Sequence, residues 1–84
     1  MSFLGLPEEA ISKTPKLTIT GFNEIFIENF KGILEYENFF ARIKTQIGII
    51  NINGLNLKLN QMTEEDILVT GKIDSIDFEK ERED

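Results

Sequence analysis

The stretch ININGLNLKL, residues 50–59, places apolar side chains at every second position on both sides of an Asn53-Gly54 pair. Such alternation is typical of strands that bury one face. An Asn-Gly pair between two alternating runs is a strong signal for a type I′ turn, because both residues tolerate positive φ. The stretch therefore predicts a β-hairpin in which Ile52 faces Leu55.

Turn signals continue on both sides of this hairpin, at a spacing of about eight residues that is typical of a β-meander. The predicted turns lie at 21–23, 30–31, 37–38, 45–46, 53–54 and 61–66. The first of them pairs Ile19 with Ile25, and each later one keeps the same apolar face inward. Because a slip of one residue would reverse that face, the agreement predicts an antiparallel meander.

A sheet with one apolar face needs a cover, so we expect an all-β fold in which the strands form a small β-sandwich. About seven or eight antiparallel strands are expected, which is usual for small sandwiches. The predicted core comprises Leu17, Ile19, Ile25, Ile27, Leu34, Tyr36, Phe39, Ala41, Ile43, Ile50, Ile52, Leu55, Leu57, Leu59, Ile67, Val69, Ile73, Ile76 and Phe78.

The two ends of the chain differ from its centre. Pro7, Glu8 and Glu9 are typical of a first helical turn, so a short N-terminal helix is expected within 1–14. Residues 16–78 form the predicted sheet core and 79–84 a charged, solvated tail, all within one domain over 1–84. In the last strand, the apolar phase shifts near Asp74 and Ser75, which predicts a bulge or a strand that crosses between sheets.

Three similar Ile/Val-x-Gly turns also leave a β-solenoid open as a second interpretation of the fold. They end at Gly21, Gly54 and Gly71. The hairpin register favours ordinary turns over a solenoid.

Composition narrows the classes of function. The chain has 84 residues, no cysteine, no histidine and a formal net charge of −6. The commonest general base and the thiolate and imidazole metal ligands are therefore missing, so we expect neither catalysis nor a cofactor. Its lysines are scattered singly among carboxylates, which argues against nucleic acid and anionic lipid as direct partners.

Two further features predict a cytoplasmic location. No apolar run approaches the roughly 20 residues that span a bilayer, so we expect no direct membrane insertion. The first residues, 1–6, lack the basic region of a secretory signal.

The outer face of the predicted sheet is the candidate site. It carries large apolar side chains among charged ones, and contiguous apolar surface often marks an interface. An N-terminal helix or a second sheet covering these residues is the alternative interpretation. The predicted interface comprises Phe26, Ile33, Phe40, Ile49, Glu28, Glu35 and Arg42.

Several segments together resemble the YabP/YqfC family of sporulation proteins, with the YqfC branch nearer. The most distinctive are IFIEN at 25–29 and KGI at 31–33. PKLTITG at 15–21, ING at 52–54 and VTGKI at 69–73 add to the resemblance, which covers nearly the whole chain.

The resemblance implies a β-sandwich and a role in endospore formation, in the cytoplasm of the mother cell. It also implies a protein partner, a membrane protein of the YqfD type, and transfers no catalytic residue. We therefore expect a non-catalytic interaction or assembly module. A homo-oligomer is compatible with this expectation. The alternative is a small-ligand-binding domain or an enzyme that uses the acidic outer face, where Glu24, Glu28 and Glu35 were expected on neighbouring strands.

Overall fold

The computed structural model of the protein describes residues 13–80, which form a single antiparallel sheet of six strands. The strands are β1 (Lys16–Thr20), β2 (Glu24–Glu28), β3 (Phe30–Glu37), β4 (Phe40–Thr45), β5 (Gly48–Gln61) and β6 (Asp66–Lys80). The all-β class is confirmed. Within 13–80 there are six strands rather than seven or eight, and the expected sandwich of two separate sheets is not confirmed.

The two ends of the chain limit what can be compared. The predicted helix lies outside the described residues, apart from 13 and 14, which are not helical. The charged tail was predicted to start at 79, but β6 continues to Lys80.

The long strands β5 and β6 hold the sheet together. The order across the sheet is β1-β2-β6-β5-β4-β3, so the β5–β6 hairpin lies at its centre. The first half of β5 also pairs with β4, and the first half of β6 also pairs with β2. Each long strand thus has an outer neighbour along its first half only, and this divides the sheet into two halves.

The two halves meet at residues 53–58 of β5 and 70–75 of β6, which we call the bend. The register shifts twice, once at Asp74 of β6 and once between Leu55 and Lys58 of β5. Extra residues in one strand of a pair bend it and increase its twist. The predicted bulge near Asp74 is confirmed, whereas the solenoid interpretation is excluded by the antiparallel pairing.

The expected turn at Asn53-Gly54 is wrong, because β5 continues through these residues as a strand. Gly54 is needed there for another reason: a Cβ on it would collide with the backbone carbonyl oxygen of Lys72. Its N–H donates to the Phe39 carbonyl at 3.0 Å, so the β3–β4 turn is hydrogen-bonded to one side of the bend. On the other side, the Ile73 N–H donates to the Phe22 carbonyl at 2.9 Å.

The predicted hairpins agree with the structure to different degrees. The β1–β2 register is confirmed, with Ile19 opposite Ile25. The β4–β5 turn lies one residue later than expected, so Ala41 faces Ile52 instead of Ile50. The predicted β2–β3 hairpin is wrong, because β2 and β3 lie in opposite halves of the sheet.

One apolar cluster forms the core, and both halves of the sheet contribute to it. Leu17, Leu59, Ile73 and Ile76 pack against it from the margin. The buried apolar residues are Ile25, Ile27, Phe30, Ala41, Ile43, Ile50, Ile52, Leu57, Ile67 and Val69.

Six of the predicted core residues are instead exposed: Ile19, Leu34, Tyr36, Phe39, Leu55 and Phe78. They lie on the edge strands β1 and β3, at the β3–β4 turn, at the bend or near the end of β6, where no second layer covers them.

Candidate interaction surfaces

The outer face of β4 and β5 carries a hydrogen-bonded network around Arg42. Arg42 lies between the fully buried Ala41 and Ile43, so its side chain points away from the core. Its Nε donates to Asn51 Oδ1 at 3.1 Å and its Nη2 to Glu79 Oε2 at 3.0 Å. Asn51 Nδ2 donates to the same Glu79 oxygen at 2.8 Å. Three strands are thereby joined through side chains.

A longer contact extends this network to the edge of the sheet. Arg42 Nη1 lies 3.9 Å from Glu35 Oε1 on β3. We call the four residues Arg42, Asn51, Glu79 and Glu35 the Arg42 network. All of it is accessible to solvent, and exposed ion pairs contribute little stability. Its main effect is therefore to fix the charge pattern of this face.

The network lowers the pKa of the Glu79 carboxyl below its usual 4.5. The hydrogen bond from Asn51 is the largest cause, and the hydrogen bond and positive charge of Arg42 add to it. Since the pKa is depressed in the folded state, the contribution of Glu79 to stability is present above about pH 4.5. It is lost as the pH falls through the lowered pKa.

Asn51→Ala is therefore expected to raise the pKa of Glu79 back toward 4.5. The measurement is an NMR titration of the Glu79 side-chain carboxyl in the folded protein. Asn60→Ala is the matched control, because Asn60 is exposed on β5 in the other half of the sheet. An unchanged Glu79 pKa in Asn51→Ala would show that the Asn51 hydrogen bond is not formed in solution.

Aromatic side chains border the network at the β3–β4 turn. The rings of Phe39 and Phe40 lie 5.1 Å apart between centroids, tilted by 58°. Phe40 is half-buried and Phe39 is exposed. Ile49, also half-buried, lies beside Glu79 on the same outer face. Phe40, Arg42, Ile49 and Glu35 of the predicted interface are thus brought together on one face.

The other residues of the predicted interface lie elsewhere. Phe26 and Glu28 are on β2, which two strands, β6 and β5, separate from β4. Phe26 pairs with Thr18 and Leu68, so it is not near Glu35 in the sheet.

Ile33 was expected on the outer face as well, and this placement is wrong. It pairs with the fully buried Ile43 and therefore lies on the inner face at the sheet edge. The carboxylates of Glu24 and Glu28 on β2 are likewise far in the strand order from Glu35 on β3.

An apolar cleft of about 250 Å³ opens between the start of β1, the β4–β5 turn and the end of β6. Its walls include Pro15, Leu17, Ile47, Ile50 and Phe78. Thr45 shapes this region: its buried Oγ1 donates to the Gly48 carbonyl at 2.7 Å and accepts from the Ile47 N–H at 3.2 Å. The sequence pattern assigned Phe78 to the core and did not predict the cleft.

The carboxylate in the wall of the cleft is that of Glu79, and its pKa is lowered. Among residues 13–80, no three acidic side chains come close enough together to hold a metal ion. The same part of the chain contains no helix that could cross a membrane.

Comparisons with known proteins agree with the resemblance seen in the sequence. Over 75 residues, the chain is 29% identical to a protein of Bacillus subtilis (strain 168) described as "Uncharacterized protein YqfC". The alignment covers 89% of this chain and 81% of that protein. No solved structure matches the chain. The model of the YabP family matches residues 12–84, nearly the whole chain, and the protein therefore belongs to the YabP family.

Proposed function

We propose that this protein is a non-catalytic interaction module that acts in endospore formation. Membership of the YabP family over 12–84 is the observation that carries the proposal. The cytoplasm of the mother cell is the proposed place of action, as the resemblance to sporulation proteins implies. A membrane protein of the YqfD type is the proposed partner.

The outer face around Phe40 and Arg42 is the proposed partner surface. Apolar side chains flank the Arg42 network on this face, with Phe39 and Phe40 on one side and Ile49 on the other. Aromatic side chains and arginine are the residues that most often dominate binding energy. The Arg42 network lies between these apolar groups, and its charges would set the orientation of a partner more than the affinity.

Phe26 belongs to a second proposed patch on the outer face of β2. It lies beside the half-buried Leu68 of β6, and the carboxylate of Glu28 follows on the same face. Because the two patches are in different halves of the sheet, single substitutions separate their contributions.

The test is made in the spore-forming host, with the gene deleted and then restored as wild type, Phe26→Ser or Phe40→Ser. Deletion is expected to reduce the number of heat-resistant spores. Phe40→Ser should weaken co-purification of the membrane partner by about tenfold or more, since aromatic anchors carry much of the binding energy. Phe26→Ser should weaken it less.

Met62→Ser is the matched control, because Met62 is exposed in the β5–β6 turn and belongs to neither patch. Circular dichroism and thermal unfolding of each purified variant show whether the fold is kept. Normal spores after deletion would overturn the role in sporulation. Unfolding of Phe40→Ser would instead show that this ring stabilises the fold, and the substitution Arg42→Glu would then test the same surface without removing apolar area.

A further inference from the structure

The two edges of the sheet differ in how open they are to another strand. At one edge, the register of β3 against β4 shifts twice, between Phe30 and Gly32 and between Ile33 and Glu35. Irregularities of this kind protect an edge from pairing. At the other edge, β1 runs in unbroken register, and its outer side is not paired with any strand of residues 13–80. Of the two outermost strands, β1 is therefore the more open to another strand.

Apolar side chains collect along this open edge. Ile19 is 52% exposed although its neighbour across the strands, Ile25, is fully buried. Phe22, in the turn that follows β1, is 86% exposed, more than any other large apolar residue described. At the beginning of β1, Leu17 and Pro15 form one wall of the apolar cleft.

The sequence of β1, KLTIT, is suited to pairing with a copy of itself, both in its alternation and in its charge. Polar and apolar residues alternate about a central Thr18, so the strand can pair antiparallel with a copy of itself and keep both apolar faces on the same side. It contains one lysine and no carboxylate in a chain of net charge −6. Like charges would therefore not meet across the pair.

We propose that β1 is a self-association edge, where two copies of this chain pair antiparallel about a two-fold axis at Thr18. In this register Thr18 lies opposite Thr18 of the second copy, Leu17 opposite Ile19, and Lys16 opposite Thr20. The two sheets then continue into one another. This surface is distinct from the outer face around Phe40, so the inference does not rest on the proposed function.

The same register gives the exposed Phe22 a place. In an antiparallel pair, residue numbers rise along one copy as they fall along the other. The turn at 21–23 of one copy therefore lies beside Pro15 of the other, at the mouth of the apolar cleft. A five-residue strand pair alone buries little compared with the roughly 1,000 Å² of a specific interface. The two clefts and two Phe22 side chains supply the additional apolar area.

Charge substitutions at Thr18 test the two-fold register directly. Thr18 is exposed, so neither Thr18→Lys nor Thr18→Glu is expected to disturb the fold. In either variant two like charges face each other across the axis, and the dimer dissociation constant should rise by about tenfold or more. An equimolar mixture of the two variants pairs lysine with glutamate and should form a heterodimer again. Sedimentation equilibrium of the full chain over a range of concentrations measures all three samples.

Asn60→Lys is the control, because it adds the same charge to an exposed position in the same half of the sheet, away from β1. It should dimerise like the wild type. A wild type that stays monomeric up to about 1 mM overturns the proposal. So does a Thr18→Lys variant that dimerises as well as the wild type, or a mixture that fails to associate, since either shows that Thr18 does not lie on the axis. None of these results bears on binding of a partner through Phe40.

Discussion

Replacing Gly71 by alanine is expected to unfold much of the protein at room temperature. Gly71 has a φ of +133°, in a region that other residues rarely adopt. A Cβ there would lie 2.6 Å from the Asn56 carbonyl oxygen and 2.9 Å from Leu57 Cα. Both atoms belong to the backbone of β5, which cannot rotate away as a side chain would.

The expected loss in the free energy of unfolding is about 3 kcal/mol or more, from backbone strain together with overpacking. A core of this size supplies only about 3–5 kcal/mol of net stability. The loss is therefore comparable with the whole stability of the fold. Equilibrium urea unfolding, followed by circular dichroism, measures the change.

Gly32→Ala is the matched control for this substitution. Gly32 is also a glycine within a strand, but a Cβ on it would meet no atom within 4 Å. Its replacement should change stability by less than about 1 kcal/mol, and in the stabilising direction if the unfolded chain loses freedom. Equal stability of Gly71→Ala and Gly32→Ala would mean that β5 and β6 do not approach as closely as the structure has them.

The alternation in the sequence predicted which way most side chains face. Ile25, Ile27, Ala41, Ile43, Ile50 and Ile52 were all expected inside, and all are buried. A period of two specifies the face of each residue, but it does not specify which strand lies alongside. A shift of two residues, such as the one between β4 and β5, leaves every face unchanged. The pairing itself therefore could not be read from the pattern.

The bend shows why a turn signal alone was misleading. An Asn-Gly pair favours a hairpin because of its backbone freedom, yet at Gly54 the requirement is the absence of a Cβ beside Lys72. The positive φ values in this part of β5 and β6 occur at Asn56 and Gly71. Long-range contact between two strands decided the role of the glycine, and a local signal does not contain that information.

The sequence predicted only part of the candidate site, again because the alternation does not specify which strands pair. Arg42 and Glu35 were both expected on the outer face, because each alternates with inward residues, and the structure pairs them there. Glu79 was assigned to a charged tail, although the alternation continues through Ile76 and Phe78 and could have extended the strand. Phe26 was joined to Phe40 only because β2 was expected to pair with β3. The symmetric pattern of β1 was visible in the sequence, but which edges stay open depends on the strand order.

The Phe30 side chain is the clearest case of a core residue that the pattern missed. It was assigned to a turn, yet it is only 7% exposed and belongs to the core cluster. The chain reverses one residue earlier, at Asn29, whose φ of 66° lies in the left-handed region that asparagine tolerates. The Phe30 N–H then donates to the Glu65 carbonyl at 2.9 Å, which ties the start of β3 to the loop before β6.

Phe30→Ala is therefore expected to lower the free energy of unfolding by about 3–5 kcal/mol, the usual cost of removing a buried ring. Phe22→Ala removes the same atoms from a side chain that is 86% exposed, and should cost no more than about 0.5 kcal/mol. Both are measured by urea unfolding in dilute protein, where association through β1 does not contribute. Similar losses in the two variants would contradict the burial of Phe30. A large loss in Phe30→Ala alone is the result expected of a ring that the reversal at Asn29, rather than a turn at Phe30 and Lys31, directs into the core.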